Sequence, residues 1–420
     1  MSSPDKRFGV WLGERRVGTI VQQGDRTRFT LDAEYREDPQ RPVLGLRFEQ
    51  NLSAVHAATV RLPPWFSNLL PEGRLRDWIA ADRRVSAQRE MELLIQVGHD
   101  LPGAVRVFSE AVDPDDWWDG DSLPGSSQSG ADDEPAAGWR FSLAGVALKF
   151  SVLRRNDRLT LPAYGEGGDW IMKLPDRIHR DVPRNEFAMM SLAAAIGIDV
   201  PEICLVHRSQ IDDLPEEIWP DGEEVAYVIR RFDREGGRRL VHMEDLAQVR
   251  NLYPDKKYLG NFETVASLIY RRHDVEALRE FTRRLAFCVL ISNGDAHLKN
   301  WSLLYRDPRV PTLSPAYDLV STAPYRTGEE PEDLGLKFGG TRHFHNVTLR
   351  TFSKLQDRLG AVGTDLPQCV AEVIERTRDE WPGCASHLNG NQRLQDAIDA
   401  SIKARSRTLL RGAGSGSSRS

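Results

Sequence analysis

From Phe8 onward apolar residues fall at every second position: Phe8, Val10 and Leu12, then Val17, Thr19 and Val21, then Phe29 and Leu31. Gly13-Glu14 and Gly24-Asp25 separate these runs. A period of two broken at glycine predicts an antiparallel meander, because alternate side chains of a strand share a face and glycine accepts the turn. The period then lengthens. In Leu62 to Ala80, LPPWFSNLLPEGRLRDWIA, the Pro71-Glu72-Gly73 break is followed from Arg74 by helical spacing; Glu90 to Val97 reads as a second helix and Gly103 to Phe108 as a closing strand. These elements predict a compact α+β unit over residues 1–111.

Residues 112–138 change character to Asp, Gly, Ser and Pro, and apart from Trp117 and Trp118 they hold nothing that could offset the entropy of ordering. They read as an acidic linker. Trp139 then opens WRFSLAGVALKFSVL, which reads as a strand, a turn of small residues at Ser142, Ala144 and Gly145, and a second strand ending near Lys149. Small residues let backbone amides approach a phosphate closely, although a plain hairpin fits the same letters. Lys173 stands inside the short apolar strand Asp169 to Pro175, where lysine is depleted. Thirteen residues later Glu186 opens a helix in which Phe187, Met190 and Ala194 recur at helical spacing. Val225 to Phe232 is a further strand leading into a helical region. Leu278, Phe281, Leu285, Cys288 and Val289 share one face of a helix that delivers the chain to Ser292. Beyond it lie the polar DLGLKFGGTRHF, amphipathic helices at Thr348 to Leu359 and Leu366 to Glu380, and a Gly/Ser-rich tail over 411–420.

The chemistry concentrates in ISNGDAHLKNWSLL, Ile291 to Leu304, and PAYDLVS, Pro315 to Ser321. Asn293 and Gly294 read as a helix stop. Asp295, Asn300 five positions on, and Asp318 follow the order of a phosphoryl-transfer site: an acid that accepts the proton of the attacking hydroxyl, then an amide and a second carboxylate that hold magnesium. A strand lysine paired with a glutamate on the next helix, here Lys173 and Glu186, positions nucleotide phosphates in such sites; an edge-strand lysine and an exposed glutamate are the bland alternative. His297 is more ambiguous: a lone histidine is usually structural or a surface group, and with scattered carboxylates it is thin evidence for a metal hydrolase.

Composition narrows the classes. The 420 residues are 40% hydrophobic and 28% charged, an ordinary globular balance, and the net charge of −6 argues against a globally basic nucleic-acid-binding surface. Cys204, Cys288, Cys369 and Cys384 have no CxxC spacing and read as reduced core thiols. With no apolar leader and no membrane-length run, a soluble cytoplasmic protein is expected.

The stretches VWLGERRVGTI, FSNLLPEGRLR, FSLAGVALKF, IMKLP, NEFAMMSLA, RRFDR, NGDAHLKNWSLL and PAYDLVS resemble, along nearly the whole chain, the HipA family of bacterial serine/threonine kinases, the toxin halves of HipBA-type toxin–antitoxin pairs. The resemblance implies a bilobal, protein-kinase-like α+β fold behind the additional N-terminal subdomain, with an N-lobe-like region over 139–231 and a helical C-lobe over 232–410. It implies ATP and Mg2+ as cofactors. Asp295 would be the catalytic base, Asn300 and Asp318 the metal ligands, and Lys173, supported by Glu186, the contact to the ATP phosphates. Ala144, Gly145, Val146, Ala147, Leu148 and Lys149 would form the phosphate loop and Arg230 to Phe232 the adenine hinge, while His297, Lys299 and Tyr317 would line the nucleotide site. Ser142 matches a serine whose autophosphorylation expels the loop and silences the kinase. Ala147 stands where the family usually has Gln, and Arg230 where the hinge often has Glu. A HipB-like antitoxin gripping the N-terminal unit, DNA contact only through it, and a protein target such as glutamyl-tRNA synthetase complete the implied picture. A small-molecule kinase and a catalytically inactive module of a DNA-bound repressor complex are the alternatives.

Overall fold

The computed structural model describes residues 5–111, 149–155, 158–160, 167–212, 214, 218–236, 239–326 and 333–411. The first unit is built on the alternating meander. Strands Lys6–Leu12, Arg15–Gln23 and Arg26–Leu31 pair antiparallel in sequence, His56–Thr59 adds to one edge and Val105–Ser109 to the other. Gly13 and Gly24 take left-handed φ of 61° and 58° at the two tight turns. Phe8, Val10, Val17 and Phe29 pack against Trp65, Phe66, Leu93 and Leu94 from the loop and helices that cover the sheet.

A second antiparallel sheet follows, in the order Arg158–Thr160, Lys149–Arg155, Trp170–Lys173, Val225–Arg230, Ile203–His207. Here the sequence reading is extended, since strand continues past Lys149 to Arg155, while the residues read as the strand before it lie outside the described ones. The reason is packing: Phe150 and Val152 alternate into a core with Leu159, Trp170, Met172 and Val228. Register places Lys149, Lys173 and Tyr227 in one row across three strands. Helix Val182–Ala195 begins before Glu186, with Pro183 in its first turn, and lies against this sheet.

The remainder is helical around Val275–Leu290, capped by Asp274, with Leu366–Cys384 packed on it. The segment read as polar is a hairpin, Asp333–Phe338 with Thr341–His343, whose Leu334, Leu336 and Phe338 are fully buried. Helix Gln392–Leu409, capped by Asn391, adds a further layer absent from the sequence reading. The four cysteines are free thiols, three of them buried. No helix among the described residues is long and apolar enough to cross a membrane.

Two buried polar clusters join the first unit to the rest. In one, Arg231 and Arg234 both reach Asp100, at 2.7 and 2.8 Å, and both bond Asp233, whose carboxylate also accepts from the Gly103 amide at 2.7 Å. Burial alone would raise the Asp100 carboxyl; the two guanidinium groups instead hold it down at about 2. In the other, Glu244 on strand His242–Asp245 is fully buried with no ion-pair partner among the described residues. It accepts from the Leu46 amide, Trp65 Nε1 and the Tyr305 hydroxyl at 2.9, 3.0 and 2.6 Å.

Burial pushes the Glu244 carboxyl up to about 7 from its ordinary 4.5, against these three donors. Because the folded value is the higher one, the native state keeps a proton that the unfolded chain has lost. The resulting stability is full below about pH 4.5 and disappears as pH rises through about 7, a difference on the order of 3 kcal/mol. Glu244→Gln is expected to flatten this slope. Urea midpoints of both proteins at about pH 5 and about pH 8 check it, and parallel pH dependences would show that Glu244 does not titrate there.

Candidate active site

Helix Val275–Leu290 ends at a turn in which Ser292 takes a left-handed φ of 50°. Asn293, buried, accepts the Asp295 amide on its side-chain oxygen at 3.0 Å, and the Gly294 amide donates to Thr322 Oγ1 at 3.0 Å. The helix stop read from the sequence therefore also sets where Asp295 stands. Asn300 closes the loop: its side-chain amide donates to the Asp295 carbonyl at 2.9 Å across the turn Leu298–Asn300. Gly335 lets the buried hairpin press on this loop, since a Cβ there would lie 2.6 Å from the Ala296 carbonyl carbon. The Asp295 carboxylate is 51% exposed, open to an incoming acceptor.

His297 is buried beneath it, Nε2 4.0 Å from Asp295 Oδ1, and Nδ1 meets no hydrogen-bond partner among the described residues. Burial lowers its pKa, with Asp295 opposing, so the imidazole is neutral at neutral pH.

The second half of the site forms where the row of lysines meets Asp318. Lys173, 8% exposed, contacts both Glu186 and Asp318, while Lys149 Nζ lies 3.1 Å from Asp318 Oδ2. Burial works against the Lys173 charge, but the Asp318 and Glu186 carboxylates overcome it and raise its pKa. Burial likewise opposes ionisation of Asp318, and Lys149 and Lys173 more than reverse that, holding it well below the carboxylate range. Glu186, buried and sharing Lys173, is pushed upward. Asp318 itself has a left-handed φ of 56°, a conformation that costs most residues but that aspartate tolerates. Beside it the Tyr317 ring lies 5.6 Å from that of Phe232, and its hydroxyl bonds Ser302 at 2.5 Å and the Lys299 carbonyl at 2.8 Å.

Two expected residues point elsewhere. Lys299 turns its ammonium to the first unit, reaching the Asn68 carbonyl at 2.8 Å and Glu72 at 3.4 Å, as well as Asp245 at 2.9 Å. These three acceptors enclose its ammonium group. Arg230 is exposed and reaches Glu202 at 3.7 Å rather than the Phe232–Tyr317 pair. Ser142, Ala144, Gly145, Val146, Ala147 and Leu148 lie outside the described residues, so Lys149 alone represents the expected phosphate loop.

Sequence reasoning missed Gly335, and it missed Tyr258, whose hydroxyl donates to Asp295. The alternation of DLGLKF could have exposed the first; nothing in DKKYLGN marks the second.

The donor set suits nucleotide and metal. Asp318 and Asn300 offer the hard oxygens that Mg2+ takes, and both line one small pocket with Asn293 and Tyr317.

Comparison with known proteins decides the family. The HipA-like C-terminal domain model matches residues 141–381 and the HipA N-terminal domain model matches residues 8–108. The chain belongs to the HipA family. Among HipA relatives, a putative kinase, Y4dM, of Sinorhizobium fredii is 40% identical over 91% of this chain and 93% of its own. The serine/threonine-protein kinase toxin HipA of Shewanella oneidensis is 25% identical over 86% of this chain and 88% of its own. HipA solved in the Shewanella oneidensis complex with HipB and operator DNA superposes with a TM-score of 0.73 at 19% identity, covering 95% of this chain and 97% of that one, which establishes the shared HipA fold.

Proposed function

We propose that this chain is an ATP-dependent serine/threonine protein kinase and the toxin of a toxin–antitoxin pair. One observation carries the reading: the fold brings Asp295, Asn300 and Asp318 together with a buried Lys173 braced by Glu186. These are the parts that phosphoryl transfer requires, since positioning and electrostatic stabilisation supply most of its catalysis.

Asp295, half exposed, orients the acceptor hydroxyl and takes its proton. Glu186 fixes Lys173, and Lys149 and Lys173, which here neutralise Asp318, present their ammonium groups to phosphate oxygens. Asp318 and Asn300 would hold Mg2+, which when bound neutralises charge on the transferred group. The Phe232 and Tyr317 rings are the apolar surfaces for the base.

On this reading Ser142 is the self-phosphorylated residue, and a dianionic phosphate there repels the nucleotide. The acceptor is a protein hydroxyl, with an aminoacyl-tRNA synthetase such as the glutamyl enzyme as the class to test first. A HipB-like antitoxin is the partner, supported by the fold shared with HipA from a complex with HipB and DNA; with a net charge of −6 this chain would meet DNA through that partner.

Mass spectrometry of the purified chain before and after incubation with Mg2+ and ATP tests the proposal. Phosphate on Ser142 is the expected result. Absence of phosphate on any residue or on an added synthetase, with no ATP turnover, would overturn it.

A further inference from the structure

Tyr258 lies between the turn Pro254–Lys256 and the helix Phe262–Tyr270. Its hydroxyl donates to Asp295 Oδ1, the only side-chain hydrogen bond this carboxylate receives from the described residues. Its ring stands edge-on to His297, centroids 5.1 Å apart at 82°. Burial and the Asp295 charge both raise the phenol pKa, so it remains a donor across the physiological range.

The backbone around Tyr258 is held from three sides. The Lys257 carbonyl accepts from the Leu298 amide of the catalytic loop at 3.1 Å. The Tyr258 carbonyl accepts from Arg342 at 2.6 Å, on the hairpin that also presses on Ala296. Lys257 Nζ reaches Glu72 of the first unit at 3.0 Å, and Glu72 also pairs with Lys299 in the loop. A half-exposed aspartate would otherwise exchange rotamers freely. With one oxygen tied to a phenol whose own backbone is fixed, the other oxygen is directed outward.

We infer that Tyr258 is a positioning residue for Asp295, fixing Oδ1 so that Oδ2 faces the acceptor hydroxyl, and that the Glu72–Lys257 contact makes the first unit part of that support. This rests on the kinase reading above. It gives the first unit a role in the reaction itself: whatever binds there acts on a contact two residues' reach from the base.

The test is the rate of label transfer from γ-labelled ATP to the full chain and to an added protein acceptor, for wild type, Tyr258→Phe, Asp295→Asn and the double variant. Loss of one charge-assisted hydrogen bond and of carboxylate alignment should lower kcat roughly tenfold. KM for ATP and the thermal midpoint should stay at wild-type values, and Tyr258→Phe should have no further effect on the Asp295→Asn background.

An unchanged or faster Tyr258→Phe would overturn the inference, the faster result showing that the phenol blocks the base. A parallel loss of ATP affinity and thermal stability would overturn it too, in favour of a purely structural role. A wild-type chain that turns over no ATP sinks the kinase reading and this inference together, whereas a working wild type with an unimpaired Tyr258→Phe sinks the inference alone.

Discussion

Asp295→Asn is expected to lower phosphoryl transfer by about 10²- to 10⁴-fold while leaving the protein folded. Asparagine keeps the shape and the backbone bonds that place this residue: the amide to Asn293 and the carbonyl to Asn300 involve no carboxylate. Tyr258 can still donate to the asparagine oxygen. What is lost is the carboxylate proposed to take the acceptor's proton. Transfer from γ-labelled ATP should collapse, nucleotide binding should persist, and the thermal midpoint should move by no more than about 2 °C. Transfer at the wild-type rate would remove Asp295 from the role of base and favour a binding module over an enzyme.

The second large effect falls on both stability and activity. Lys173→Met keeps the apolar stem but removes the ammonium that Glu186 and Asp318 share. Asp318 retains Lys149 in contact, whereas Glu186, 5% exposed, is left with no direct ion pair among the described residues. Removing one member of a buried pair typically costs about 3–5 kcal/mol, because the remaining charge stays desolvated. Urea unfolding should show that loss, and ATP turnover should vanish. Lys173→Met combined with Glu186→Leu should recover much of the stability without restoring turnover, since the stranded charge is gone but the proposed phosphate contact is still missing. Full stability in the single variant would mean that Glu186 is already neutral in the native protein.

Much of the candidate site's geometry was legible because its spacing is local. Asp295 and Asn300 lie on one turn after a helix whose apolar face is plain in the sequence, so their distance is set by a few backbone dihedrals. Lys173 and Glu186 are the end of a strand and the second turn of the next helix, a unit short enough for its geometry to follow from element type. The meander of the first unit was equally clear, since period-two alternation with glycine turns admits few other structures.

Partners between distant segments were not legible. Lys299 and Asn300 are neighbours in sequence, yet Lys299 belongs to the junction with Asn68, Glu72 and Asp245 while Asn300 belongs to Asp295. Side-chain direction at a short turn separates them, and no periodicity records it. Tyr258 meeting Asp295, Glu244 meeting Trp65 and Gly335 meeting Ala296 are likewise consequences of how whole elements dock. The sequence by itself determined most of the elements and which chemical groups they carry, because strand alternation, helix capping and loop spacing are properties of neighbouring residues. Only the tertiary structure decided which buried charge meets which, because a desolvated group must be paired by whatever the packing of distant elements brings within hydrogen-bond reach.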